Sequence, residues 1–251
     1  MRLLAIVHQR DAGPGVFAEA AGAAGAELDR WHVAETPHPP AEAASYDAVL
    51  VLGGAMNVDQ VDRHPWLRAE RELLAELLAR DVPLLGVCLG AQLLSEAAGG
   101  DARRAREPEI GWFEVEVTGA RAGDPVVGPL APRFEAFEWH SYECGVPEDA
   151  EVLATTPICA QAFRVGARAW GIQFHAEVSR ADAGHWIDDY GSDPDAVRIG
   201  VDPVALRRLT EERIDAHNEL GRELCARFIA GARERRGTPA RATTRRFRSR
   251  G

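Results

Sequence analysis

The sequence predicts an α/β protein: an open, mostly parallel central sheet with helices on both faces, plus a small antiparallel sheet. Two observations lead there. In the first hundred residues, short continuous apolar runs alternate with helical segments, as in strands buried on both faces by crossover helices. After Gly100 the texture changes to short strands separated by Gly, Pro and Asp turns, the mark of antiparallel hairpins.

In order, "LLAIV" (3–7) reads as a buried strand, followed by a glycine-rich turn and an alanine-rich helix near 14–25. "YDAVLVLGG" (46–54) is a second apolar run closed by a glycine pair. "PWLRAERELLAELLAR" (65–80) starts with proline, which suits a first helical turn, and Leu67, Leu73, Leu74, Leu77 and Leu78 form one stripe. "VPLLGV" (82–87) is the third strand, and "AQLLSEAAGG" a helix closed by glycines. "WFEVEV" (112–117), "RFEAFEWH" (133–140), "EVLATT" (151–156), "AQAFRV" (160–165) and "RAWGIQFH" (168–175) are short strands, the last two joined as a hairpin at Gly166. A helix near 181–190 and a long amphipathic helix from about 203 to 230 complete a flavodoxin-like arrangement.

With 251 residues the chain can form one large α/β domain or two small ones. No internal repeat or linker divides the body, so residues 1–231 are expected to be one domain. Residues 232–251, "ARERRGTPARATTRRFRSRG", carry a net +7 and are expected to be a disordered, solvated tail. The whole chain carries −10, so about −17 falls on residues 1–231, which argues against a nucleic-acid-binding core. There is no lysine, which excludes a lysine base, a Schiff base and a P-loop phosphate ligand. The cysteines at 88, 144, 159 and 225 have no CxxC and no ligand spacing, so no zinc site, disulfide framework or cofactor is expected. "MRLLAIVHQR" is too short in apolar residues for a signal peptide, and no apolar run approaches the ~18–20 residues of a membrane span. A cytoplasmic setting without membrane partners is the expectation.

Gly86-Val87-Cys88-Leu89-Gly90 has the form of a nucleophile elbow, G-x-C-x-G, between a strand and a helix. Such a turn displays the sulfur at the carboxyl edge of the sheet, over a helix N-terminus whose partial positive charge favours thiolate. A thiolate needs a proton acceptor, and "GIQFHAE" offers His175 at the end of a strand, with Glu177 two residues on to hold its tautomer. An oxyanion needs two N–H donors. Leu89, just after the cysteine, supplies one, and the glycine pair of "VLGGAMNV" places another near Gly54. His140 is the rival base, but it lacks a carboxylate two residues on. Cys144, Cys159 and Cys225 lack any histidine or carboxylate at useful spacing, and Trp112, Trp139 and Trp170 read as core, with Trp112 and Trp139 candidates for pocket walls. Asp62 and His64 in "VDRHPW" read as a loop entering a helix, not a metal site.

The elbow "GVCLGAQ", the loop "GGAMN", "EIGW" (109–112) and "FHAE" together resemble a class I (triad-type) glutamine amidotransferase over roughly residues 45–178, and within it the stand-alone group similar to the glutaminase domain of GMP synthase. The resemblance implies attack by Cys88 on the side-chain amide of glutamine, proton transfer by His175 oriented by Glu177, and a γ-glutamyl thioester with release of ammonia. It also implies an oxyanion hole at Gly54 and Leu89, substrate binding by Gln92, and contacts from "WHSYE" (139–143), hence His140, Ser141 and Tyr142. Two departures stand out: Ala176 where many members have proline, and "WHSY" where the GMP synthase branch has a His-Gly-Asp form. No synthetase domain accompanies the site, so any ammonia acceptor is expected to be a separate synthetase subunit. The alternative readings are a γ-glutamyl peptidase and a weakly active regulatory subunit.

Overall fold

β1 (Arg2–Val7) is buried from Leu3 to Val7 because parallel strands flank it on both sides: β2 (Glu27–His32) and β3 (Ala48–Val51). β3 pairs in parallel with β4 (Leu84–Val87), and β4 with β9 (Ala169–Ile172). The computed structural model describes residues 1–121 and 123–234, so most of the expected Arg-rich tail, residues 235–251, lies outside the described residues.

From β9 the sheet continues antiparallel through β8 (Ala160–Val165), β7 (Glu151–Thr155), β5 (Asp101–Val117) and β6 (Arg133–Gly145), in the order β2-β1-β3-β4-β9-β8-β7-β5-β6. The antiparallel strands expected as a small sheet are therefore joined edge-on to the parallel part. The β8–β9 hairpin carries Gly166 at φ 59° in its loop.

Successive side chains of a strand face opposite sides, so each strand feeds two cores. Leu3, Ala5 and Val7 pack with Leu50, Leu85 and Val87 beneath α1 (Gly15–Ala23) and α6 (Pro203–Glu234), which contribute Phe17, Leu224 and Phe228. Leu4, Ile6, Val49 and Val51 pack beneath α2 (Trp66–Ala79) and α3 (Leu89–Ala97), with Leu67, Leu74, Leu77 and Leu93. Each fully buried leucine contributes about 1.5–3 kcal/mol relative to exposure. Two further helices, α4 (Arg180–Asp188) and the short α5 (Pro194–Arg198), lie in the connection to α6. Ser179 caps α4 in a reciprocal capping box with Asp182.

Several elements differ from expectation. β2 escapes a hydrophobicity reading because it is an edge strand and only Trp31 is buried. β5 starts eleven residues before "WFEVEV", in the charged stretch from Asp101. The β5–β6 register shifts between Arg104 and Glu109, around Pro108, which has no N–H for the ladder. No helix among the described residues is long and apolar enough to cross a membrane.

Candidate active site

The turn from β4 into α3 holds Cys88 at φ 50°, ψ −111°, one of two non-glycine residues with positive φ among the described residues. Its N–H donates to the Ile172 carbonyl at 2.8 Å, which ties the elbow to β9. The flanking glycines answer to close packing: a Cβ on Gly90 would stand 2.0 Å from the Val51 carbonyl oxygen, and one on Gly86 would stand 2.6 Å from the Gly90 oxygen. Leu89 is the first residue of α3, so its N–H has no helical carbonyl to meet.

His175 follows β9 by three residues, and its N–H donates to the Phe137 carbonyl at 2.9 Å. Glu177 Oε1 lies 2.8 Å from His175 Nδ1, and both side chains are buried. With Nδ1 bonded to Glu177, Nε2 is the nitrogen left to face the Cys88 thiol, whose Sγ also lies 4.0 Å from the Trp139 carbonyl oxygen. Burial opposes a charge on this ring, but Glu177 and Cys88 outweigh it, so its pKa lies well above the ordinary imidazole value. Trp186 closes one side of the ring edge-on, with centroids 4.8 Å apart.

The turn carrying both groups is clamped from two helices. Val16 N–H at the start of α1 donates to the Glu177 carbonyl at 2.9 Å, and on α6 His217 Nε2 donates to the His175 carbonyl at 2.9 Å while Asn218 donates to Val178 at 2.7 Å. Ala176 is wholly buried beneath α6. Burial also pushes the His217 pKa down, keeping that ring neutral.

The glycine pair after β3 comes up against both groups. A Cβ placed on Gly53 would stand 2.8 Å from His175 Cε1 and 3.6 Å from Cys88 Cβ, and one on Gly54 would stand 3.2 Å from Leu89 Cδ2. Beneath the pair lies an arrangement that the sequence does not announce. His8 Nδ1 donates to the Gly53 carbonyl at 3.1 Å, and His8 Nε2 faces the Glu70 carboxylate at 3.0 and 3.1 Å, with Trp66 stacked on the imidazole at 5.3 Å. Burial opposes charge on His8, but Glu70 outweighs it and raises its pKa.

A cavity of about 690 Å³ opens over these groups. Cys88, His175, Gly54, Gln92, His140, Ser141 and Tyr142 all line it, along with Trp139 and Trp186. Trp112 instead packs against α6, donating to Thr210 Oγ1 at 2.9 Å, and Trp170 is buried against Phe228. Gln92 is almost fully buried and donates to the Tyr142 carbonyl at 3.2 Å, while the Tyr142 hydroxyl donates to Asp59 at 2.8 Å. The cavity also carries residues without a sequence signal: Asp11, Asp189, Asp193, Asp195 and Arg104. Arg104 donates to both oxygens of Asp195 at 2.6 and 2.8 Å. Burial opposes the charge on Asp195, but Arg104, Ser141 and Arg198 outweigh it and bring its pKa to about 2. Asp62 and His64 stay in the loop before α2, with His64 against Trp66.

His140 lines the cavity, and its ring is buried, with Nδ1 donating to the Tyr142 carbonyl at 2.9 Å and Nε2 3.3 Å from both Glu109 Oε2 and Glu138 Oε2. The expectation that Cys159 has no histidine or carboxylate nearby is corrected, since its Sγ lies 3.4 Å from Glu109 Oε2. Strand pairing across 50 residues, not local spacing, brings these groups together. Burial pushes the Cys159 thiol up, as it does Cys144 (well above its usual value) and Cys225 (to about 12). Cys144 contacts Gln173 and Cys225 the Phe17 carbonyl, and all four cysteines are free.

Comparison with known proteins places this geometry. The family model described as "Glutamine amidotransferase class-I" matches residues 17–188. The chain is 27% identical over 181 residues to the putative glutamine amidotransferase-like protein YfeJ of Salmonella typhimurium, covering 70% of this chain and 76% of that one. It is 34% identical over 139 residues to one of the subunits of the glutamine-hydrolyzing GMP synthase of Haloquadratum walsbyi, covering 54% of this chain and 68% of that one. The structure superposes on that of a glutamine amidotransferase from Thermotoga maritima with a TM-score of 0.82 at 27% identity, over 91% of this chain and 98% of that one. The flavodoxin-like fold and the resemblance to the GMP synthase glutaminase branch are thereby borne out, and the chain belongs to the class-I glutamine amidotransferase family.

Proposed function

We propose that this chain hydrolyses the side-chain amide of glutamine through a thioester on Cys88. Cys88 gives its thiol proton to His175 Nε2 as its sulfur attacks the amide carbon, and the N–H groups of Leu89 and Gly54 take the developing oxyanion. Such a donor is worth about 2.7–4 kcal/mol of barrier. His175 passes a proton to the departing nitrogen, which leaves as ammonia, and a γ-glutamyl thioester remains. His175 then takes a proton from water, which attacks the thioester, and glutamate leaves as the thiol is restored. Glu177 holds the ring in the tautomer that keeps Nε2 toward sulfur.

The observation that carries this reading is the His175–Glu177 hydrogen bond behind a cavity wall that Cys88 and His175 share. Its test is to incubate the protein with glutamine and measure glutamate and ammonia. Turnover is expected from the wild type, and Cys88→Ala should lose it; activity that survives that change would remove Cys88 from the mechanism. We take residues 1–231 to act as one domain, a reading supported by the single nine-stranded sheet. Relatives named as individual subunits of glutamine-hydrolyzing GMP synthases support a separate ammonia-accepting partner. A chain that serves mainly in regulation would gain activity only when that partner is added.

A second reading rests on the cavity itself. At about 690 Å³ it has room beyond the elbow, and Asp11, Asp189 and Asp193 line it. Such a space suits a γ-glutamyl amide with a larger leaving amine. The same thioester chemistry would then release that amine, and a panel of γ-glutamyl peptides set against free glutamine separates the two.

A further inference from the structure

Between β5, β6 and β8, beside the Cys88–His175–Glu177 group, four side chains converge and leave several buried polar atoms without a hydrogen bond. Glu109 Oε2, His140 Nε2 and Cys159 Sγ lie within 4.8 Å of one another, and Glu138 Oε2 lies 3.3 Å from the same histidine nitrogen. Glu109, Glu138 and His140 are buried, and Cys159 is partly buried, which gives the cluster a way to solvent.

The hydrogen bonding is one-sided. His140 Nδ1 donates to the Tyr142 carbonyl, which can only accept, so the neutral ring presents the lone pair of Nε2 to two carboxylates. The two carboxylates favour a proton on Nε2 against burial, but the contacts it makes are long. Both distances are 3.3 Å, longer than the ~2.7–2.9 Å of a charge-assisted bond, and Nε2 makes no hydrogen bond. Both oxygens of Glu138 and Oε1 of Glu109 are also buried without a partner. The His8–Glu70 pair shows what this fold does when a proton is the only cation needed: the groups close to 3.0 and 3.1 Å and bond. Leaving the Glu138 carboxylate buried with no hydrogen bond to either oxygen costs several kcal/mol.

We propose that Glu109, His140 and Cys159 form a three-ligand binding site for a divalent transition-metal ion of the zinc type, with the Glu138 carboxylate beside His140 adding negative charge. Tetrahedral bonds of ~2.0–2.3 Å set neighbouring ligand atoms about 3.3–3.8 Å apart. The Nε2–Oε2 distance of 3.3 Å to Glu109 and the Sγ–Oε2 distance of 3.4 Å meet that spacing. One thiol, one imidazole and one carboxylate are a ligand set that zinc accepts and magnesium does not favour. An outer shell is already built. The Tyr142 carbonyl fixes the ring that presents Nε2, and the Gln161 amide donates to Glu109 Oε2 at 2.8 Å. On binding, Cys159 loses its proton to solvent and sulfur bonds to the metal as thiolate.

The test uses the full chain, stripped with a chelator and titrated with Co²⁺ and then Zn²⁺. One equivalent of Co²⁺ is expected to bind with thiolate-to-cobalt charge-transfer absorption, in the wild type and in Cys88→Ala alike, and Zn²⁺ should displace it. Cys159→Ser should abolish that absorption and weaken Zn²⁺ binding by more than the ~10–100-fold typical of an outer-shell change. His140→Gln should do the same. Should that buried variant not fold, Cys159→Ser, at a partly exposed position, still decides the matter. The proposal is overturned if the folded wild type binds neither ion at micromolar concentration, or if the absorption vanishes with Cys88→Ala and survives Cys159→Ser.

Discussion

Gly221 on α6 lies so close to the Ala176 carbonyl that a Cβ on it would stand 1.9 Å from the oxygen. The helix therefore sits directly on the turn that carries His175 and Glu177, and His217 and Asn218 of the same helix bond to the carbonyls on either side. An imidazole that must serve sulfur on one side and carboxylate on the other needs such a fixed backbone.

Gly221→Ala should force α6 and this turn apart. Overpacking of this kind costs about 1–3 kcal/mol, and a backbone oxygen yields less readily than a side chain, so the upper end is expected. Chemical denaturation measures the loss. The fall in kcat is expected to exceed that of an equally destabilised core variant such as Leu74→Ala on the opposite face of the sheet, whose own cost is about 2–5 kcal/mol. Equal falls would mean that α6 only stabilises the fold.

The strain at Cys88 predicts a trade between stability and function. A non-glycine residue in a rarely populated backbone conformation costs about 1–3 kcal/mol. Cys88→Ala keeps that strain and Cys88→Gly removes it, at an entropic cost of about 0.4–1 kcal/mol in the unfolded chain. Cys88→Gly should therefore be more stable than Cys88→Ala by about 1 kcal/mol, while both lack activity. Thermal unfolding of the pair side by side reads this, and a Cys88→Gly protein that melts first contradicts it.

His8 and Glu70 give a pH dependence with a definite sign. The folded-state pKa of His8 lies above its ordinary value of about 6.5, so the unfolded chain gives up this proton first as pH rises. The pair's stabilisation is thus complete below about pH 6.5 and fades as pH climbs through the raised value. Glu70→Gln should cost about 1–3 kcal/mol at about pH 6 and distinctly less at about pH 9. Denaturation of both proteins at the two pH values checks it. Because His8 also holds the Gly53 carbonyl, a fall in kcat beyond the stability loss is expected at the lower pH.

The parts of this architecture that were legible in the sequence are those that burial writes as pattern. β1, β3 and β4 are apolar because both faces are covered, and the elbow, glycine pair and H-x-E turn are read from neighbours a few residues apart. What could not be read depends on pairing at a distance. Glu70 occupies a polar position on an amphipathic helix, and nothing local says that it turns inward to His8, 62 residues away. Glu109, His140 and Cys159 meet only because β5 pairs with β6 and the β7–β8 turn folds over them. β2 and the first half of β5 are too polar for any hydrophobicity count, since each is exposed along much of its length.

Glu177 offers the most direct check on the proposed proton path. Its carboxylate is the largest of the influences that raise the His175 pKa against burial. Glu177→Gln removes the charge while keeping the side-chain shape, so burial regains weight and the His175 pKa must fall. Nitrogen NMR of the His175 ring should show it losing its proton at lower pH than in the wild type. The glutamine amide can also present its N–H₂ to Nδ1, which favours the tautomer with the proton on Nε2, the nitrogen that must accept it from sulfur. Activity should then drop by about 10²–10⁴-fold, mostly in kcat. A Glu177→Gln enzyme with an unshifted ring pKa and near-normal kcat would show that this carboxylate supports the turn without steering the proton.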